Sequence, residues 1–328
     1  MNFYKIVLFG YLLLAVCLTY IILRDRSRVG TFCNKHKNYA LAEVLFLFFT
    51  AMIAFDTHFI EPWTLKTTDV TVAMDNITIP IKIAFISDIQ VGNHKNEKWV
   101  EKIVQRVIQE SPDLVILGGD QIDNEAYLRD EAKELDPLKT LSDKYLTYAV
   151  IGNHEYGIGS ATRENTAWQT GDRSADTLAE LKKINIKILR SDLDCPKIKG
   201  QTICLFGIDD IWKTPQPDFS KLQKFNPTTT IIFITHNPDG ILTWPTNIQK
   251  PELVLSGHTH GGQIWLPFIG PLGSAGIQLP NKFYRGLNYY HNIPIYTSTG
   301  AGESGGAVRF WNLPEIAIIT IDKNQNKE

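Results

Sequence analysis

The stretch Leu114-Val115-Ile116-Leu117-Gly118-Gly119-Asp120-Gln121-Ile122-Asp123 joins a short apolar run to a glycine pair and two carboxylates. A run of this kind, bounded by Gly and Asp, reads as a buried β-strand that ends in a tight turn carrying acid groups. The same arrangement recurs along the chain. Residues 81–86 lead into Ser87-Asp88-Ile89-Gln90, residues 145–151 into Gly152-Asn153-His154-Glu155, residues 230–235 into His236-Asn237, and residues 253–255 into Gly257-His258-Thr259-His260-Gly261-Gly262. Further strand-like runs lie at 203–207, 293–298 and 316–321, with helical patterns at 97–109, 127–142 and 175–184. Strand and helix alternate early and strands dominate after residue 186, which predicts a layered α/β domain with a second sheet facing the first.

In α/β sheets, ligands collect where loops leave the carboxyl ends of strands, so five polar strand ends can converge on one crevice. Singly, each is ordinary turn chemistry: Gly-Asp makes turns, Asn-His caps helices, and His-x-His decorates strand faces. Five in order, each behind an apolar strand, point instead to a site. Oxygen and imidazole donors without thiolate suit Mn, Fe, Zn or Mg at a catalytic centre. The chain has 328 residues and a formal charge of -2, enough length for a full core and no basic excess that would call for nucleic acid.

The first sixty residues differ from the rest. Residues 6–23 are uncharged and mostly apolar, about the minimum for a membrane span. Lys5 is the only basic residue before them and no small-x-small cleavage site follows before Arg24, so an anchor is expected rather than a cleaved signal. A second apolar run, 39–55, carries Glu43 and reads equally as a span or an interfacial helix. The loop between holds Arg24, Arg26, Arg28, Lys35 and Lys37 against Asp25, which should keep it cytoplasmic. Two spans would put the large domain outside the cytoplasm, and one span inside. The expected division is an anchor at 1–64, a catalytic domain at 65–322 and a polar tail at 323–328. Cys195 and Cys204 flank a hairpin turning at Lys199-Gly200, close enough for a disulfide or simply buried as thiols. Export is slightly favoured on that basis. Cys17 and Cys33 lack metal-ligand spacing.

The ordered set Asp-x-Gln, Gly-Asp-x-x-Asp, Gly-Asn-His-Glu, Thr-His-Asn and Gly-His-Thr-His resembles the signature of the calcineurin-like metallophosphoesterases, over about 81–321. Tyr284 to Leu287 and the Arg309 to Ile316 ending are similar to a membrane-associated bacterial branch, some of whose members hydrolyse the pyrophosphate of UDP-2,3-diacylglucosamine in lipid A biosynthesis. The resemblance implies a four-layer α/β/β/α sandwich of two facing mixed sheets. It implies two divalent metals, Mn foremost, with Fe, Zn or Mg as alternatives. Asp88, Gln90, Asp120 and His260 would hold one, and Asp120, Asn153, His236 and His258 the other, Asp120 bridging. His154 would stabilise or protonate the leaving oxygen while hydroxide made available by the metals attacks in line. Gln90 departs from the family's usual histidine, and a weaker, harder donor there favours Mn or Mg.

The expected function is therefore hydrolysis of a phosphodiester, pyrophosphate or phosphomonoester bond at the inner (cell) membrane, on a phosphorylated and lipid-linked small molecule. The alternatives are a broad extracytoplasmic phosphodiesterase or phosphatase, and a membrane-tethered binding module that no longer turns over. Asp123 is expected to cap a following helix or else to orient the loop that carries Asp120, and Asp209, Asp210, His94 and Glu303 are weaker site candidates. His36, His58 and His291 read as structural. Segments 156–173 and 265–290 read as long loops, and the apolar Trp265 to Leu272 portion either packs over the second sheet or meets lipid.

Overall fold

The computed structural model describes residues 3–92, 94–124, 130–159, 171–223 and 230–323. Two long apolar helices come first, α1 (Phe3–Ser27) and α3 (Lys37–Phe59), joined through the short turn α2 (Phe32–Lys35) in the basic loop. Both are long and apolar enough to cross a bilayer. The helix that carries the second apolar run reaches Phe59, past the end of that run at 55. Tyr11 and Thr50 meet through their hydroxyls between the helices, while Leu13, Val16, Phe46 and Phe49 point outward, a surface that calls for an apolar covering.

The remainder builds two mixed sheets. In the first, β1 (Lys66–Met74), β15 (Glu315–Lys323), β2 (Ile81–Ile86), β3 (Leu114–Gly118), β4 (Leu146–Val150) and β5 (Lys187–Ile188) lie side by side in that order. The second runs β13 (Gly286–Tyr290), β14 (Ile293–Thr297), β10 (Leu253–Ser256), β9 (Thr230–Ile234), β8 (Gln201–Gly207) and β6 (Asp192–Asp194), with β7 (Lys197–Ile198) paired to β8. Strands β2, β3 and β4 are parallel, and so are β8, β9 and β10, which brings their carboxyl ends to one edge of each sheet.

Side-chain alternation decides the layers. Ile83 and Phe85 of β2, Leu114 and Ile116 of β3, and Tyr148 of β4 face Leu205, Ile232, Ile234, Leu253 and Leu255 of the second sheet, all fully buried. Their neighbours Ala84, Ile86, Val115 and Leu117 turn to the helices α4 (Glu97–Glu110) and α6 (Ser174–Lys183) through Trp99, Val100, Ile103 and Leu181. Over the far face of the second sheet, Phe206, Phe233 and Val254 are covered by Phe219, Leu222, Ile241 and Phe283, which sit on 3₁₀ turns or beside them. Fully burying side chains of this size contributes roughly 1.5–3 kcal/mol each before conformational entropy is counted.

The structure departs from the expectations in three details. Strand β1 was not anticipated. Of the helix expected over 127–142, the described part splits into a 3₁₀ helix at Glu131–Leu138, with Pro137 inside it, and α5 (Lys139–Lys144). The segment 265–290 holds a small hairpin, β11 (Trp265–Leu266) with β12 (Gly270–Pro271), and then β13, so it is not one loop. Of the loop expected over 156–173, residues 160–170 lie outside the described residues. The Lys199-Gly200 turn is present, with both residues at positive φ, and Cys195 and Cys204 are joined as a disulfide across the hairpin.

Candidate active site

Each candidate side chain follows the carboxyl end of a parallel strand: Asp88 and Gln90 follow β2, Asp120 follows β3, Asn153 and His154 follow β4, His236 follows β9, and His258 and His260 follow β10. The two sheets bring them together. His236 Nε2 lies 3.1 Å from Asp120 Oδ2 and 3.2 Å from Asn153 Oδ1. His258 Nδ1 lies 2.9 Å from the same Asn153 oxygen, and His260 Nε2 lies 3.4 Å from Asp88 Oδ1. Two sets, Asp120–His236–His258 and Asp88–Asp120–His260, each hold their donor atoms within 4.8 Å of one another and share Asp120. Residues that could bind two metal ions are thus assembled around one common carboxylate.

Backbone carbonyls orient the imidazoles. His236 Nδ1 donates to Gly118 O at 2.8 Å, His260 Nδ1 to Gly302 O at 2.9 Å, and His258 Nε2 to Ala275 O at 2.9 Å. The other ring nitrogen of each therefore faces inward, the usual arrangement behind a metal-binding histidine. Asn153 spends its amide nitrogen on Ile158 O at 2.6 Å, which aims Oδ1 at the same point.

The donor chemistry fits a cation pair. Burial, with the His236 charge beside it, pushes His258 down to about 3, so its ring is neutral. With its proton on Nε2, its Nδ1 lone pair confronts the Asn153 oxygen, a pair of acceptors that suits a cation between them. His260 Nε2 and Gln90 Oε1 are buried without a hydrogen-bond partner among the described residues. Burial also pushes Asp88 up to about 7, and Asp120 adds to that effect. For Asp120 burial acts upward too, but His236 and His154 more than offset it and hold the carboxylate below its usual range. Gln90 turns its amide nitrogen to Asp120 Oδ2, donating at 3.1 Å, so in this rotamer it serves the shared carboxylate.

The turns that deliver these groups use left-handed backbone. Asp88, Gln90, Asp120, His258 and His260 all have φ between 49° and 69°, a region uncommon for residues other than glycine and entered most readily by Asn, Asp and His. Two glycines permit the close packing: a Cβ on Gly152 would lie 2.1 Å from Asp120 Oδ1, and one on Gly257 would lie 1.8 Å from Ser87 Oγ.

A cleft of about 440 Å³ opens over the cluster, lined by Asp120, Asn153, His154, His258 and His260. His154 Nδ1 donates to Asp123 O at 2.8 Å, which leaves Nε2 in the cleft, 3.2 Å from Ser304 Oγ and 3.7 Å from Asp120 Oδ2. Trp212 stands edge-on to His258 with ring centroids 4.6 Å apart and forms one wall.

The weaker candidates sort themselves by contact. The Asp123 carbonyl orients His154, and the start of the helix it was expected to cap, at 127, lies outside the described residues. Asp209 takes Arg190 and the Tyr156 hydroxyl, and Asp210 accepts from Trp212 N at 2.8 Å, so this pair fixes the cleft wall. His94 reaches Gly305 O at 3.4 Å and does not line the cleft. His36, His58 and His291 stand outside the cluster.

Two supporting devices escape a reading of the sequence. Buried Glu155 accepts from Gln121 N at 2.6 Å and Gly152 N at 3.0 Å, tying the Asp120 turn to the Asn153 turn. Its only signal is its place at the end of Gly-Asn-His-Glu. The second device is a buried charge chain. Arg309 donates to Glu303 Oε1 at 2.9 Å and to the carbonyls of Thr299, Gly300 and Gly302, and Gly302 O is the acceptor that orients His260. Glu303 also pairs with Lys95 at 3.3 Å, and Lys95 lies between Trp63 and Trp99 and donates to Pro62 O. Glu303 is thus part of the scaffold, and the contacts run from the end of the helical anchor to a candidate metal ligand.

Two facing sheets carry Asp, Asn and His donors at their carboxyl edge, and residues 81–262 match the family described as calcineurin-like phosphoesterase. The chain belongs to that family. It is 31% identical to an uncharacterized metallophosphoesterase of Helicobacter pylori over 79% of this chain and 65% of that protein. It is 26% identical to the phosphodiesterase YaeI of Escherichia coli over 74% and 82%. A transmembrane protein with metallophosphoesterase domain from Danio rerio is 28% identical over 74% of this chain and 53% of that one. The chain spans 60–65% of the length of its Helicobacter and Caenorhabditis elegans relatives.

Proposed function

We propose that the chain is a membrane-anchored phosphodiesterase whose catalytic domain, residues 65–322, lies outside the cytoplasm and acts on an amphiphilic phosphodiester or pyrophosphate of the cell envelope. The observation that carries the hydrolytic reading is the pair of donor sets sharing Asp120 at the floor of the cleft. Asp88, Gln90, Asp120 and His260 would hold one cation, and Asp120, Asn153, His236 and His258 the other. When bound, two divalent cations neutralise the phosphoryl oxygens and make a water nucleophile available at neutral pH, with Mn the expected metal. Asp120 has two oxygens to share, and Asn153 contributes an oxygen without adding charge. His154 presents Nε2 to the cleft, where it can hand a proton to the departing oxygen, and Ser304 holds that nitrogen in place. Trp212 screens the His258 side from water.

Localisation rests on the helices. If α1 and α3 both span, the basic loop between them lies inside and everything after Trp63 outside. The Cys195–Cys204 disulfide favours the same oxidising side. This weighs against UDP-2,3-diacylglucosamine, a cytoplasmic precursor, and for a lipid-linked envelope substrate. The test is Mn-dependent hydrolysis by the purified full chain of bis-p-nitrophenyl phosphate, a phospholipid in mixed micelles, and UDP-2,3-diacylglucosamine. Turnover of the first two that is lost in Asp120→Asn supports the proposal. Exclusive turnover of the UDP compound, or unchanged rates in Asp120→Asn, contradicts it.

A further inference from the structure

The hairpin of β11 and β12 carries an apolar tip left exposed by the described residues. Phe268 is 109% exposed and Ile269 68%, in the turn between β11 and β12 where Phe268 has φ 65°, and Leu272, just past β12, is 58% exposed. The packing of this segment over the second sheet is therefore excluded for its tip. Such a cluster is costly in water unless something covers it. Its position says what covers it. Trp265 N donates to Phe310 O at 2.9 Å, and the strand-like segment through Phe310 is bound to the end of the second apolar helix: Arg309 N donates to Thr57 O at 3.0 Å and Trp311 N to Glu61 Oε1 at 2.8 Å. Trp63, Ile60 and Trp311 are exposed at this junction and extend the apolar surface from helix to hairpin.

The charges suit a lipid headgroup layer. From Gln263 to Asn292 the sequence has no Asp or Glu, and its two bases are Lys282 and Arg285. Arg285 lays its guanidinium on the Trp265 ring at 3.8 Å, an aromatic–cation pair of the kind found at membrane interfaces. The hairpin also borders the cleft, since Gly262 before it and Gly273 after it both line the opening.

We propose that the Trp265–Leu272 hairpin is a second membrane contact, inserting Phe268, Ile269 and Leu272 into the bilayer beside α3 and setting the mouth of the cleft on the membrane surface. The enzyme then takes the phosphodiester headgroup of a lipid whose acyl portion stays in the bilayer. This rests on the reading of α1 and α3 as membrane-embedded.

The experiment uses the full chain in nanodiscs containing phosphatidylglycerol. A fluorophore is placed at Phe268→Cys in a Cys17→Ser/Cys33→Ser background, with a control at Lys250→Cys, at the opposite end of β10. Nitroxide on the lipid acyl chains should quench the probe at 268 and spare the one at 250, and aqueous iodide should do the reverse. The double variant Phe268→Asp/Ile269→Asp should lose about tenfold in kcat/KM on phospholipid in the discs, with bis-p-nitrophenyl phosphate turnover unchanged. Iodide quenching at 268 equal to that at 250 overturns the inference, as does protection at 268 that appears only with two chains per disc, which would mark a contact between copies. A chain that leaves the discs altogether overturns the anchor reading itself.

Discussion

Gln90 is the weakest donor in the cluster, and its amide nitrogen faces Asp120 where an imidazole would offer a lone pair. Gln90→His should therefore tighten binding at the Asp88 side and shift the purified protein from Mn toward Zn or Fe, by about tenfold or more in relative content. Metal analysis after growth in balanced metals checks this, and an unchanged ratio would show that position 90 does not reach the cation. Lys95 makes a different case, because burial pushes it down to about 8 from an ordinary 10.5 despite its pairing with Glu303. Below pH 8 both folded and unfolded chains carry the charge and the fold bears the burial penalty. Between pH 8 and 10.5 the folded chain releases the proton while the unfolded chain keeps it, so the wild type gains stability as pH rises, by at most about 3 kcal/mol. Lys95→Met lacks that gain, and melting curves of the two proteins at pH 7.5 and 10 should converge or cross; parallel shifts would contradict it.

At the scale of elements, the strand-end turns are where the fold is least forgiving. Gly257→Ala pushes a methyl into Ser87 Oγ and Asp88 Oδ2, and should cost several kcal/mol and release Asp88 from the cluster. A lowered Tm together with lost hydrolysis is expected; full activity at unchanged Tm would mean that the turn has slack. These turns were also the legible part of the sequence. Apolar β-branched runs such as Leu114–Gly118 and Thr230–Ile234 are buried on both faces and announce themselves. Strand β1 did not, because its nine residues Lys-Thr-Thr-Asp-Val-Thr-Val-Ala-Met are half polar, as befits an edge strand paired only to β15. The candidate ligands could be read because each lies beside its own strand, whereas the Lys95–Glu303–Arg309 chain joins residues more than two hundred positions apart and has no local pattern.

For the whole molecule, the open question in the sequence was the second apolar run, where Glu43 interrupts the pattern. The structure continues it as one helix of 23 residues, and the proposed arrangement has both helices spanning with the domain outside. An alkaline phosphatase fusion after Glu328 should be active in cells, whereas a fusion at Gly30 in the basic loop should be silent; the opposite pattern would place the domain inside. The central claim is that Asp88, Gln90, Asp120, Asn153, His236, His258 and His260 enclose a pair of cations with Asp120 between them. Anomalous scattering from crystals grown with Mn tests it most directly. The account predicts two peaks about 3.5–4 Å apart flanking the Asp120 carboxylate. A lone peak away from Asp120, or none within the cluster at saturating metal, would contradict it.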